Sequence, residues 1–172
     1  MRSLWTSFSL AWHLLTILPL PGRPASGITV ATFGASLYWF PVVGFILGAG
    51  LVIIDYLSEG FFPPVVSNMV LLVLYVLVTG GLHLDGWTDT VDALAGGRDA
   101  AHRLAILRDS RIGALGAAGL VLLLGLRYAG LLTLPVEIRE GMLLCVPAVG
   151  RWAMVIGSLG VVYPRSEGLA AP

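Results

Sequence analysis

Long apolar runs separated by short polar breaks dominate the chain. A helix needs about 20 predominantly apolar residues to cross the bilayer core, and four stretches meet that need: 37–54, 65–82, 112–134 and 141–163. A fifth, 4–20, is weaker, because it carries His13 and Thr16 and ends at "LPLPG", where the prolines force an extended exit. It lacks both a basic n-region and a small-residue cleavage site, so it is not read as a removable signal peptide. It either spans or is partly re-entrant. The pattern predicts an all-α fold: a polytopic integral-membrane helical bundle with four spans plus the weaker N-terminal one, in a single domain over residues 1–172.

Composition agrees. Of 172 residues 57% are hydrophobic and only 12% charged, with mean hydropathy +0.90, far from an ordinary soluble domain. All ten basic residues are arginine and ten acids offset them, so no basic surface points to nucleic acid. Cys145 is the single cysteine and lies in an apolar run, which excludes a disulfide framework or a Cys-rich metal site. It is read as a small apolar filler.

Loop charges orient the spans. The 55–64 connection holds Asp55 and Glu59 and no base, whereas 85–111 holds Arg98, Arg103, Arg108 and Arg111. The positive-inside rule makes the second loop cytoplasmic, with Arg23 and Arg165 on the same side. The 55–64 loop and a short 135–140 turn carrying Glu137, Arg139 and Glu140 then lie outside. Arg2 breaks this pattern if the N-terminal segment crosses. Glycines in "GFILGAG" and "GALGAAGLVLLLG" recur every three or four residues, which lets helices approach closely in lipid. Self-association into a homo-oligomer is left open.

One polar stretch departs from this background: "GGLHLDGWTDTVDALAGG", residues 80–97. The helix either continues from the apolar run through Asp85 or restarts after Gly80 and Gly81. In both cases Asp85, Asp89 and Asp92 stand at i, i+4 and i+7, and at about 3.6 residues per turn they fall in one stripe. Like charges in one stripe repel and raise one another's pKa. A hard divalent cation resolves the conflict, since Mg²⁺ prefers carboxylate oxygen and commonly uses one or two carboxylates plus substrate phosphate. The plainer reading is a solvated helix end whose acids complement the dipole. A second polar cluster, "DSRIG", opens the next run, with Asp109, Gly113 and Gly116 again at i, i+4 and i+7. The glycines are expected to leave that face open for a ligand.

The arginines suit phosphate, being forked donors for bidentate contact. Arg98 is explained by topology alone. Arg103 and Arg108, with His83 and Ser110, are assigned to substrate contact, although His83 sits off the aspartate stripe and a lone histidine more often serves a structural bond. His102 is read as solvated. Two arginines fall inside apolar runs, where ionisable groups are costly. Arg127 is placed to snorkel outward, and Arg151, beside Trp152, is expected to face phosphate or the aspartates.

"GGLHLDGWTDTVDALAGG" followed by "RLAILRDSRIGALGAAGL" resembles the signature of the cobalamin synthase family, the adenosylcobinamide-GDP ribazoletransferases of cobamide biosynthesis. "LTILPLPG", "YWFPVVGFILGA" and "GRWAMVIGSLGVVYPRSEGLA" extend the resemblance over nearly the whole chain. Ile17 stands where the family usually has a basic residue, and Ser166 where it has proline. The chain ends at Pro172 while family members continue through further membrane helices, so the resemblance implies a C-terminal shortening. It also implies that adenosylcobinamide-GDP is attacked at its cobinamide-side phosphorus by a ribose hydroxyl of α-ribazole or its 5′-phosphate, releasing GMP with Mg²⁺ dependence. The enzyme would sit in a bacterial or archaeal cytoplasmic membrane. On that reading Asp85, Asp89 and Asp92 hold Mg²⁺, Asp109 accepts the ribose proton, and Arg111 and Arg151 stabilise charge on the transferred phosphate.

Two other readings compete. Membrane CDP-alcohol phosphotransferases also space aspartates at a helix rim, but their pattern has "AR" after "DG", and here Trp87-Thr88 follows Asp85-Gly86. A cation transporter or channel would spread polar residues through several spans near the midplane, whereas these acids gather at one rim.

Overall fold

The computed structural model describes residues 2–21 and 29–159. Arg23, Arg165, Ser166 and the far end of the 141–163 run lie outside the described residues. Those residues form eight helices and no strand: α1 (Arg2–Leu15), α2 (Val30–Leu37), α3 (Phe40–Ser58), α4 (Pro64–Val78), α5 (Leu82–Gly96), α6 (Ala100–Ile106), α7 (Ala114–Thr133) and α8 (Val136–Ser158). The chain divides into two units, Met1–Phe61 with Pro135–Pro172, and Phe62–Leu134.

The first unit is built on α3 and α8, its most extensive helix pair. A Cβ added at Gly44 would meet the backbone of Pro147 and Ala148, and one at Gly48 would meet the carbonyls of Leu143 and Leu144. The close approach expected of the glycine pattern is therefore present on α3. Pro147 lies inside α8 and removes the donor that would bond the Leu143 carbonyl, and that carbonyl lies against Gly48. At one end of the pair Arg139 donates from Nε to Asp55 Oδ2 at 2.7 Å and from Nη2 to Asp55 Oδ1 at 2.8 Å. Arg139 was expected in an outer turn. It stands instead in the first turns of α8, because Pro135 serves as the N-cap and the helix begins at Val136.

α1 has 14 residues, about 21 Å of helix, short of the roughly 30 Å hydrocarbon core. The weaker N-terminal run is thus not one continuous helical span. It buries Ser7, Ala11 and Leu15, spaced four apart on one face. The Phe8 ring meets Trp39 edge-on at 5.3 Å, and Trp39 Nε1 donates to Ser7 Oγ at 3.1 Å.

In the second unit α7 packs against α4 and α5, and α5 against α6. α4 stops sharply. Gly80 and Gly81 have φ of 62° and 69°, the left-handed region glycine enters without penalty. Gly80 N–H bonds the Leu77 carbonyl at 2.9 Å and Gly81 N–H the Val76 carbonyl at 3.0 Å, the paired bonds of a Schellman motif. The helix therefore does not continue through Asp85; it restarts as α5, bent 87° from α4. By length and composition α3, α7 and α8 suffice to cross a membrane, and α4 with α5 counts as a fourth span only as a broken pair. The architecture is an all-helical, polytopic membrane protein.

Candidate active site

The break after α4 shapes the site. Gly80, Gly81 and Leu82 at the turn, Asp85 and Thr88 on α5, and Ile112 and Leu120 from the α7 side line an open cleft of about 380 Å³. Asp85 is exposed and Thr88 buried, its Oγ1 donating to the Asp85 carbonyl at 2.7 Å. Close contacts hold α5 to α7. Trp87 Nε1 donates to the Gly119 carbonyl at 3.1 Å, and a Cβ at Gly119 would crowd the Val91 methyls at 3.1 and 3.2 Å. The small residues of α7 thus let α5 in, as their spacing predicts.

The three aspartates share α5 but not their surroundings. Asp89 is half-buried. Burial, with repulsion from Asp85 and then Asp92, pushes its carboxyl above the usual carboxylate range. Asp92 is committed elsewhere. Its Oδ2 accepts from Gly113 N–H and its Oδ1 from Gly116 N–H, each at 2.8 Å. The α7 face that Gly113 and Gly116 were expected to leave open for a ligand is filled by this carboxylate, because a side-chain anion from α5 reaches the unpaired amides of the helix start. Among the described residues no three His, Cys, Asp or Glu side chains converge as a ready metal set. Asp85 and Asp89 remain the carboxylates suited to a cation, and neither enters an ion pair seen among the described residues.

The "DSRIG" cluster is closed on itself. Arg111 Nε donates to Asp109 Oδ1 at 3.0 Å and Oδ2 at 3.1 Å, Nη2 donates to Oδ2 at 2.7 Å, and Arg111 N–H to Oδ1 at 3.0 Å. These bonds lower the Asp109 pKa to about 2, the Arg111 side chain acting most strongly, its backbone N–H next, and its charge also contributing. A carboxylate so far below neutral pH is a weak base. The setting is that of an orienting anion rather than the proton acceptor expected of Asp109. The i to i+2 bond is an Asx turn, a local signal that the sequence carried and that the reading by helical spacing passed over.

The remaining candidates other than Arg151 spread along the same unit. His83 is half-buried at the start of α5, two residues before Asp85, and Ser110 and Arg108 are exposed in the connection into α7. Arg103 is exposed on α6 and its Nε donates to the Gly97 carbonyl at 3.2 Å. Asp99 caps α6 by accepting from His102 N–H at 2.8 Å, and Arg98 N–H donates to His102 Nδ1 at 3.4 Å. Arg151 belongs to the first unit, where it is 4% exposed on α8 and Nη1 reaches the Pro147 carbonyl at 3.5 Å. Thr88, Ile112 and Leu120 line the cleft without having been singled out from the sequence; an apolar or β-branched residue on a greasy helix carries no signal of its own.

Residues 7–172 match the model of a protein family described as cobalamin-5-phosphate synthase. The chain is 38% identical over 156 residues to a protein of Acetivibrio thermocellus named adenosylcobinamide-GDP ribazoletransferase, covering 90% of this chain and 62% of that one. Proteins with the same name from Synechococcus elongatus and Desulfitobacterium hafniense are each 37% identical over 171 residues, covering 99% and 98% of this chain and 65% of theirs. The chain therefore spans 62–65% of the length of these curated relatives. No solved structure matches it.

Proposed function

This chain belongs to the cobalamin-5-phosphate synthase family, and from that premise we propose that it joins adenosylcobinamide-GDP to α-ribazole, or to α-ribazole 5′-phosphate, in a bacterial cytoplasmic membrane. The observation that carries the reading is the cleft at the α4–α5 break, where a left-handed Gly80-Gly81 turn sets Asp85 at the edge of an apolar helix pair. A ribose hydroxyl attacks the cobinamide-side phosphorus. One P–O bond forms, the bond to the bridging oxygen of the pyrophosphate breaks, GMP leaves, and the hydroxyl proton is released. The products are adenosylcobalamin or its 5′-phosphate, and GMP.

Magnesium fits the residues in part. Asp85 and Asp89 would hold it: burial and, after it, repulsion from Asp85 and Asp92 raise the Asp89 pKa, a bound cation relieves that repulsion, and two carboxylates with substrate phosphate match the ion's habits. When bound, it would supply charge neutralisation on the pyrophosphate and leaving phosphate. Arg111 offers its remaining Nη1 donors to a phosphate oxygen while Asp109 fixes its orientation. Arg103, Arg108, Ser110 and His83 supply further polar contacts. The four arginines between Gly97 and Gly113 favour a cytoplasmic rim.

The test is GMP release from adenosylcobinamide-GDP and α-ribazole by the protein in lipid. Release should vanish on chelation and fall about a hundredfold or more in Asp89→Asn, as for loss of charge stabilisation at a transferred phosphoryl group. Unchanged release from Asp89→Asn at limiting Mg²⁺ would remove the aspartates from the mechanism.

A further inference from the structure

We propose that Asp92 is a positioning residue that latches the start of α7 to α5, and not a ligand of the cation held by Asp85 and Asp89. The activity part of this inference rests on the function proposed above; the latch itself rests on geometry. A helix start leaves its first amides without intrahelical partners. In the usual capping box a side chain at the N-cap bonds the amide three residues on, and a side chain there bonds back to the N-cap amide. α7 has glycine at both places, Gly113 at the N-cap with no side-chain cap of its own and Gly116 three residues later. Asp92 supplies both bonds from another helix, one carboxylate oxygen to each amide at 2.8 Å.

The glycines are the matching half of the device. A Cβ at Gly113 would meet the Asp92 carboxylate first, and its three nearest atoms all belong to Asp92. A Cβ at Gly116 would strike Asp92 and also the Thr88 carbonyl. The notch is thus shaped for a carboxylate. An anion whose two oxygens face helix-start amides is stabilised there by charge-assisted bonds and by the helix dipole. The same bonds close this helix start to substrate phosphate. The latch also reaches the cleft, because Asp85 and Thr88 on α5 and Ile112, the residue before Gly113, line it together. Asp92 acts on the reaction through those walls.

Gly113→Ala gives the clean test. Its methyl group meets Asp92 first, the three nearest atoms all being of that carboxylate, so Gly113→Ala and Asp92→Ala should each lower the melting temperature in detergent, and the double variant should be no worse than Asp92→Ala. Mn²⁺, followed by electron paramagnetic resonance, serves as the cation probe. Asp92→Ala and Asp92→Asn should bind Mn²⁺ as the parent does, whereas Asp89→Asn should bind it at least about tenfold more weakly, the range seen when a ligand's support is lost. Assayed well below the lowest melting temperature, Asp92→Ala should lose about tenfold or more in kcat by misplacing the cleft walls. Its half-saturating Mg²⁺ should not change, and Asp92→Asn, keeping one acceptor oxygen, should recover part of the rate. Additive destabilisation by Asp92→Ala and Gly113→Ala would overturn the latch, as would loss of Mn²⁺ binding in Asp92→Ala equal to that in Asp89→Asn. Absence of Mn²⁺ binding in the parent would count against the magnesium reading instead, and the stability cycle would still decide the latch.

Discussion

Replacing Gly48 by alanine should weaken the α3–α8 pair, and Gly50 in the same helix is the internal control. At Gly48 the added Cβ would run into the Leu144 carbonyl and approach the Leu143 carbonyl oxygen and the Leu144 carbonyl carbon, each at 2.8 Å; at Gly50 nothing lies within 4 Å. All the obstructing atoms at Gly48 are backbone, so no flexible side chain can swing aside, and the two helices must move apart. Separation of packed surfaces by 0.5–1 Å forfeits roughly a quarter to a half of each contact's dispersion energy, and overpacking of this kind costs about 1–3 kcal/mol. Both variants gain the same helix propensity, about 1 kcal/mol for glycine to alanine. Their difference therefore isolates the steric cost. Gly50→Ala should be neutral or more stable than the parent, and Gly48→Ala should be less stable than Gly50→Ala by about 1–3 kcal/mol. Reversible unfolding in mixed micelles, titrated with a denaturing detergent, reads that difference. Equal stability of the two variants would refute the claim that Gly48 is glycine because a helix backbone lies against it.

The Arg139–Asp55 pair should behave as a partly buried bond. Its side chains are 17% and 19% exposed, so Arg139→Gln should cost about 2 kcal/mol by stranding the carboxylate, and adding Asp55→Asn should restore part of the loss in the same unfolding assay. Asp109, beside Arg111, should titrate near 2 by carboxyl ¹³C resonance, and Arg111→Gln should move its midpoint up toward 3.8. Because the folded pKa is the lower one, the pair's contribution to stability is complete above the ordinary carboxylate range and is lost as pH falls from there through about 2. An unmoved midpoint in Arg111→Gln would show that another group holds Asp109 ionised.

What the sequence determined alone follows from properties additive along the chain. Apolar composition and run length fix an all-helical membrane architecture, because a backbone in lipid must satisfy its own hydrogen bonds. Gly80-Gly81 marks a break, since two adjacent glycines allow a left-handed turn, yet only the structure chose between a continuous helix and one restarted at 87°. The recurrence of small residues announces close helix contact, but not the partner: Gly44 and Gly48 meet α8, Gly116 and Gly119 meet α5, and Gly125 meets nothing. The aspartate stripe was legible as spacing on one helix. Its division of labour was not, because Asp92 is distinguished from Asp89 by two amides 21 and 24 residues farther along the chain. A pattern of 3.6 residues places three carboxylates on one face, and tertiary packing decides which of them meets an amide.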